Sequence, residues 1–208
     1  MSEELGITEQ SSDTKKRILD SALKIFAEHG FDGASIRSIS QEAKVNIAAI
    51  NYHFGNKENL YFEVVRYSYT QMNVKIQELN AVRELSLEEL AVGIFDLLQT
   101  KSSMLVNTFR MLLSGRHVFD RLCEVGCEGP PGGDYIAAAI RRKIPKITDA
   151  DLFWAVRSLF SLIIHQSLIL CIAPDNKMKM KATAVEVRDG IGRVAQLVLS
   201  DLSKKYSV

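Results

Sequence analysis

The sequence predicts an all-α protein, and three observations carry that prediction. Apolar residues recur at spacings of three and four through most of the 208 residues, the periodicity of helices with one buried face. No alternation of apolar and polar residues runs for more than a few positions, and 12 Gly with 4 Pro are too few for the turns of an all-β chain. The breakers are gathered, above all in the run Gly126-Cys127-Glu128-Gly129-Pro130-Pro131-Gly132-Gly133, where no helix can continue. A chain of this length with 47% hydrophobic residues buries a core without disulfide or metal staples.

Taken in order, residues 14–28 form a first helix, with Ile18, Ala22, Ile25 and Phe26 at helical spacing. Asp13 or Thr14 caps it, and His29-Gly30 ends it. Ser35 caps a short second helix carrying Ile36, Ile39 and Ala43 on one face. Lys44-Val45-Asn46 makes a turn. A third short helix follows, with Ile47, Ile50 and Phe54 expected to pack inward. Asn56 starts a longer helix that runs through Leu60 and Val64 toward Leu79. Two short helices across a tight turn, braced by a longer one, make a helix-turn-helix pattern. Helices over 85–98, 103–113 and 135–142 come next. Thr148 caps a very apolar helix over 152–173, which Pro174 closes. A last helix over 181–203 has the stripe Val187, Ile191, Val194 and Val198, with Gly190 and Gly192 in its middle.

Charge and motifs narrow the function classes. The formal net charge is +1, yet residues 1–13 hold four acidic groups and no basic one. Residues 14–57 hold Lys15, Lys16, Arg17, Lys24, Arg37, Lys44 and Lys57 against four acids. A modestly basic N-terminal module on a neutral body permits nucleic-acid binding. Residues 152–173 are nearly long enough to span a bilayer, but Arg157, His165 and Gln166 interrupt them, so a buried helix and no membrane association are expected. Three Cys and no basic-then-apolar leader point to a cytoplasmic protein. There is no phosphate-cradling Gly-rich loop, no GxSxG and no HExxH, so no enzyme, cofactor or resident metal is expected.

The third helix is the informative piece. With Ile47, Ile50 and Phe54 inward, Ala48, Ala49, Asn51, Tyr52 and His53 face elsewhere. Small residues let a helix approach base edges closely; Asn pairs with an adenine edge and Ala touches a thymine methyl. Tyr52 and His53 bring donors to phosphate oxygens. Lys57 stands at the start of the fourth helix and Ser35 at that of the second, with Arg37 one turn inward, where helix amides favour an anion. This pattern predicts binding to double-stranded DNA.

The run from Gly30 through Gly33-Ala34-Ser35-Ile36-Arg37 and Ala43-Lys44-Val45 to Tyr52-His53-Phe54-Gly55-Asn56-Lys57 resembles the N-terminal domain of the TetR/AcrR regulators over about residues 14–62. Residues 46–54 are similar to the CecR-like (YbiH-like) branch. The resemblance implies a helix-turn-helix domain over 14–60 and a helical ligand-binding and dimerisation domain over 61–208; the acidic, polar composition of 1–13 suggests a flexible start before them. It implies a homodimeric repressor on a palindromic operator, released by a small-molecule effector. In that pattern Ser35, Tyr52, His53 and Lys57 contact phosphate, while Arg37, Asn46, Ala48, Ala49 and Asn51 lie nearest the bases. Many relatives carry an aromatic where Asn51 stands and Gly where Lys44 stands, so the DNA sequence read does not transfer.

The rest of the chain is less explicit. Two helices from each subunit would form a four-helix interface, using Leu159, Ile163, Gln166, Leu170, Val187, Gly190, Ile191, Val194 and Val198. His165 reads as a hydrogen-bonded core or interface histidine, or as a ligand contact. Phe109, Arg110, Met111, His117, Trp154, Arg157 and His165 are candidates for an apolar pocket with a few polar anchors. His117, Cys123 and Cys127 leave open a redox- or metal-responsive regulator.

Overall fold

The computed structural model describes residues 2–81, 83–100, 102–114, 121, 124, 129–172 and 183–206. His117, Cys123 and Cys127 lie outside the described residues, as does Pro174. The described chain is helical, in the order α1 (Ser2–Gly33), α2 (Ile36–Ala43), α3 (Ile47–Phe54), α4 (Lys57–Ala81), α5 (Leu87–Thr100), α6 (Ser102–Ser114), α7 (Gly133–Lys143), α8 (Asp149–Ile172) and α9 (Ala184–Lys205). Helix α1 begins well before the expected cap at Asp13 or Thr14, because no proline interrupts residues 2–13. Residues 2–13, whose composition suggests a flexible start, are helical in this structure.

By internal contacts the described chain divides into two compact units. The first takes the residues up to Tyr69 and those from Val106 to Glu128; the second takes Thr70–Leu105 and the residues from Gly129 onward. The division therefore falls at Tyr69 rather than at residue 60, and the later part of α6 clusters with the N-terminal helices.

In the first unit, local chemistry sets every helix boundary. Gly30 has φ +69°, a backbone that an L side chain rarely adopts, and it breaks the regular turn of α1. Ser35 and Ser38 form a reciprocal capping box at the start of α2, with Ser35 Oγ accepting from Ser38 N–H at 3.0 Å. Lys44 takes the left-handed conformation that ends α2. Asn46 Oδ1 accepts from Ala49 N–H at 2.7 Å and starts α3. Asn56 Oδ1 does the same for α4 through Asn59 N–H at 2.8 Å. The core is Ile18, Ala22, Phe26, Ile39, Ile50, Phe54, Leu60 and Val64; each large side chain buried there contributes about 1.5–3 kcal/mol. Phe26 and Phe31 meet the Tyr61 ring edge-on, and Tyr61 Oη donates to Met111 O at 2.5 Å. Burial pushes the Tyr61 hydroxyl up to about 12.

The second unit is built around α5. Its Leu90, Ala91, Ile94, Phe95 and Leu98 are buried, and α7, α8 and α9 all pack on it. Two glycines permit close approach here. A Cβ on Gly132, whose φ is +78°, would stand 2.7 Å from Ile76 Cδ1, and the Gly132 N–H donates to Asn73 Oδ1 at 2.7 Å. A Cβ on Gly192 would press on Glu88 at 3.3 Å. Thr148 caps α8 through Asp151 N–H, and Thr183 with Glu186 forms a capping box on α9. Tyr206 closes the end of α9 onto the start of α8: its hydroxyl accepts from Thr148 N–H at 3.0 Å and donates to Asp151.

A candidate nucleic-acid interface on the first unit

Helix α3 is eight residues long and offers two faces. Ile50 and Phe54 are buried and fasten it to the unit. Ala48, Asn51 and Tyr52 are exposed, Tyr52 at 84%, while Ala49 and His53 are half-buried. The sequence reading put Ile47 inward with Ile50 and Phe54, and this is corrected: Ile47 is 44% exposed. As the first helical residue it lies about 60° around the wheel from Ile50, on the edge nearest Asn51. The outward face therefore runs from Ile47 through Asn51 and Ala48 to Tyr52. The Tyr52 and His53 rings meet edge-on, with centroids 5.2 Å apart.

The cations around this face divide by partner. Lys16 pairs with Asp20, Arg17 with Asp13 and Lys24 with Glu42, so these three bring no net charge. Lys24 and Glu42 stabilise each other's charged forms, the ammonium held above and the carboxyl below its ordinary range by their hydrogen bond. Among the described residues, Lys15, Arg37 and Lys44 have no carboxylate partner. Lys15 stands 5.9 Å from the centroid of the Phe54 ring, beside the end of α3. Lys15 and Lys44 were not singled out from sequence as contacts. Their signal was in the sequence: no acid stands three or four residues from either, whereas Asp13 and Asp20 flank Lys16 and Arg17 at those spacings.

The expected phosphate contacts stand as follows. Lys57 Nζ donates to Ala34 O at 2.8 Å and lies 4.5 Å above the Phe31 ring. One of its three donors is thus spent on joining α4 to the α1–α2 turn. Ser35 spends its hydroxyl on Ser38, which leaves the Ile36 and Arg37 N–H groups of the first turn outside the capping box. Asn46 uses its carbonyl oxygen as a cap, so its amide nitrogen is the part that faces outward. Together these groups form an exposed helix face of small, amide and phenol side chains, flanked by unpaired cations. Side chains of these kinds are suited to neutralising phosphates and to touching base edges.

The expected pocket residues are distributed over both units. In the second, Trp154, Arg157 and His165 lie on one exposed stripe of α8, so of the readings offered for His165 only a place in the chain's own core is excluded. Phe109 is half-buried and Arg110 exposed on α6, and Met111 is fully buried there. A cleft of about 320 Å³ instead lies among other residues: an apolar floor of Leu85, Leu87, Ala139 and Ala195, with Arg142 and Lys143 at its rim. The interface candidates are also re-sorted. Leu159, Ile163, Val187 and Ile191 are buried in the chain's own core. Gln166, Leu170, Gly190, Val194 and Val198 are half-buried, and a Cβ on Gly190 would meet open space. Phe153, Trp154 and Ile169 on α8, with Val185 and Leu197 on α9, are the large apolar groups left exposed among the described residues of these helices. Helix α8 is long and apolar enough to cross a membrane, by length and composition.

The family model described as bacterial regulatory proteins, tetR family, matches residues 18–64, the stretch that contains α2, α3 and the face just described. The chain is 38% identical over 95 residues to the HTH-type transcriptional repressor NicS of Pseudomonas putida, covering 44% of this chain and 45% of that protein. It therefore spans about half the length of that curated relative. Its fold is similar to the transcriptional regulator FadR of Bacillus subtilis, solved with stearoyl-CoA, with TM-score 0.67 at 18% identity over 89% of this chain and 97% of that one. A similar match is to FadR of Bacillus halodurans, with TM-score 0.65 at 20% identity over 88% and 97%. These likenesses reach a family and not a branch within it.

Proposed function

We propose that this chain is a TetR-type DNA-binding repressor of the cytoplasm and not an enzyme, a reading supported by the family-model match over residues 18–64 and by the likeness to NicS. The outward face of α3, flanked by Lys15, Arg37 and Lys44, carries this reading. In it, residues 14–60 form the DNA-binding domain. Asn51, Ala48 and Ala49 face base edges, and Arg37 and the Asn46 amide lie beside them. Tyr52, His53, Ser35 and Lys57 position the helix on phosphates. A homodimer places two copies of α3 in successive major grooves of a palindromic operator.

Two further parts belong to the proposal. Dimerisation uses the exposed stripes of α8 and α9, with Trp154, Ile169 and Leu197 beside Gly190 and Val194. Burying these apolar groups against a second copy removes from water what the single chain leaves wet. A small-molecule effector occupies the second unit; the cleft over Leu85, Leu87, Ala139 and Ala195 has the apolar floor and charged rim such a ligand uses. The bound stearoyl-CoA of the Bacillus subtilis regulator supports the idea that this fold accommodates an apolar ligand. The effector releases DNA by binding more tightly to the free dimer than to the DNA-bound one, and by linkage DNA weakens the effector equally.

The test is selection of DNA from a random pool, followed by binding of the enriched sequence by wild type and by Tyr52→Ala. Enrichment of an inverted repeat that Tyr52→Ala binds at least tenfold more weakly supports the reading. Enrichment that survives Tyr52→Ala unchanged places the DNA-binding surface elsewhere.

A further inference from the structure

Resting on the DNA-binding reading, we infer that Ile47 is a specificity-determining residue, and that it reads the C5-methyl group of a thymine in the operator. Ile47 is the first helical residue of α3, directly after the Asn46 cap. Its periodicity with Ile50 and Phe54 marks it as core, yet it is 44% exposed while Ile50 is 1% and Phe54 5% exposed. The first turn of a recognition helix is the part that reaches base edges.

An exposed branched aliphatic side chain at that place has few complementary surfaces in a major groove. The edges of guanine, cytosine and adenine present acceptors and amino groups there; thymine alone adds an apolar group, its methyl. Facing any other base, Ile47 would cover polar atoms without satisfying them, which is unfavourable. Facing thymine, it buries one methyl against its own apolar surface. Ile47 and Asn51 are neighbours at i and i+4. A thymine methyl under Ile47 next to an adenine edge under Asn51 is therefore the half-site feature this face selects.

The experiment replaces each thymine of the selected operator, one at a time, by deoxyuridine, which lacks only the methyl. Affinities are measured for wild type, Ile47→Ala and Ile47→Val, with thermal melting of each protein as a folding control. At one position in each half-site, deoxyuridine is expected to weaken wild type about fourfold, the effect of burying one methyl group. Ile47→Ala is expected to bind the thymine operator more weakly and to be indifferent to deoxyuridine at that position. Ile47→Val is expected to retain most of the discrimination. Equal sensitivity of wild type and Ile47→Ala at every thymine overturns the inference while leaving the DNA-binding reading intact. Failure of wild type to select any DNA overturns both.

Discussion

Helices α3 and α8 bury one face each and leave the other open, but for opposite reasons. Helix α3 has eight residues, held inward by Ile50 and Phe54, and its open face carries Ile47, Ala48, Asn51 and Tyr52. Helix α8 has 24 residues, its inner face is Leu152, Ala155, Leu159 and Ile163, and its open face carries Trp154, Arg157, His165 and Ile169. The small open face of α3 is mixed, as contact with a polar groove requires. The larger open face of α8 sets aromatic and aliphatic groups beside Arg157 and His165, a composition that suits burial against another protein surface. An open face thus states the chemistry of its partner, provided that the inner face is first identified correctly.

The sharpest break of this comparison sets the two faces of α8 against each other. Ile163→Ala empties a fully buried site and should cost about 2–5 kcal/mol of folding stability, read by urea unfolding. Ile169→Asp should leave folding of the single chain nearly unchanged and shift sedimentation toward monomer. If Ile169→Asp instead unfolded the protein, its side chain would belong to the core.

The same contrast applies to α3. Removing the Tyr52 hydroxyl and ring should lower operator affinity by roughly ten- to a hundredfold, the range of a hydrogen bond to a charged group, with little change in melting. Asn51→Ala should change which operators are preferred more than it changes the affinity for unrelated DNA. Anisotropy against a panel of single-base operator variants checks both.

Glycines of the second unit give a smaller and opposite-signed pair. Gly132→Ala combines a positive φ with a contact of 2.7 Å to Ile76 and should cost about 1–3 kcal/mol. Gly190→Ala meets open space in the single chain and should stabilise the helix by about 1 kcal/mol. If Gly190 lies in the dimer interface, the same variant should weaken dimerisation, so folding and association would move in opposite directions.

The smallest effect is the pH dependence at the start of α5. Glu89 accepts from Arg83 and from Ser86 N–H, and these bonds hold its carboxyl down at about 2 against an ordinary 4.5. A depressed carboxyl contributes stability above its unfolded value and loses it as pH falls through the folded one. The contribution of Glu89 should therefore be complete above about pH 4.5 and fade toward pH 2. Glu89→Gln should flatten the stability curve across that window. Because the group is exposed, the change should be a modest slope rather than a collapse.

Legibility in the sequence followed the range of the interactions. Ser35 and Thr148 cap helices through residues three positions away and are legible in the sequence; Asn46 and Thr183 cap in the same way, but the sequence reading places Asn46 in a turn and starts the last helix at about 181. Gly30 and Lys44 end helices through their own backbone conformations. Ile47 was misassigned because a spacing of three from Ile50 is necessary but not sufficient for burial, and the N-terminal end of a short helix projects beyond its support. In the second unit the same limit was larger. Helix α8 is apolar nearly all round, so its periodicity could not say which side faces α5, and Leu159 and Ile163 were assigned to a partner subunit when α5, α7 and α9 cover them. Gly192 stands two residues from Gly190 in the sequence, yet it faces Glu88 and Val92 of α5 while Gly190 faces open space. These answers depend on helices from about 20 to about 100 positions away.

The central claim is that the outward face of α3 binds DNA through phosphate neutralisation and base contact together. It is tested most directly by binding of the selected operator across a salt series, for wild type and for the triple variant Lys15→Ala, Arg37→Ala, Lys44→Ala. Wild type should show a steep fall of log affinity with log salt, and the variant a slope shallower by about two to three per bound copy of the chain. Equal slopes for the two proteins would contradict the claim.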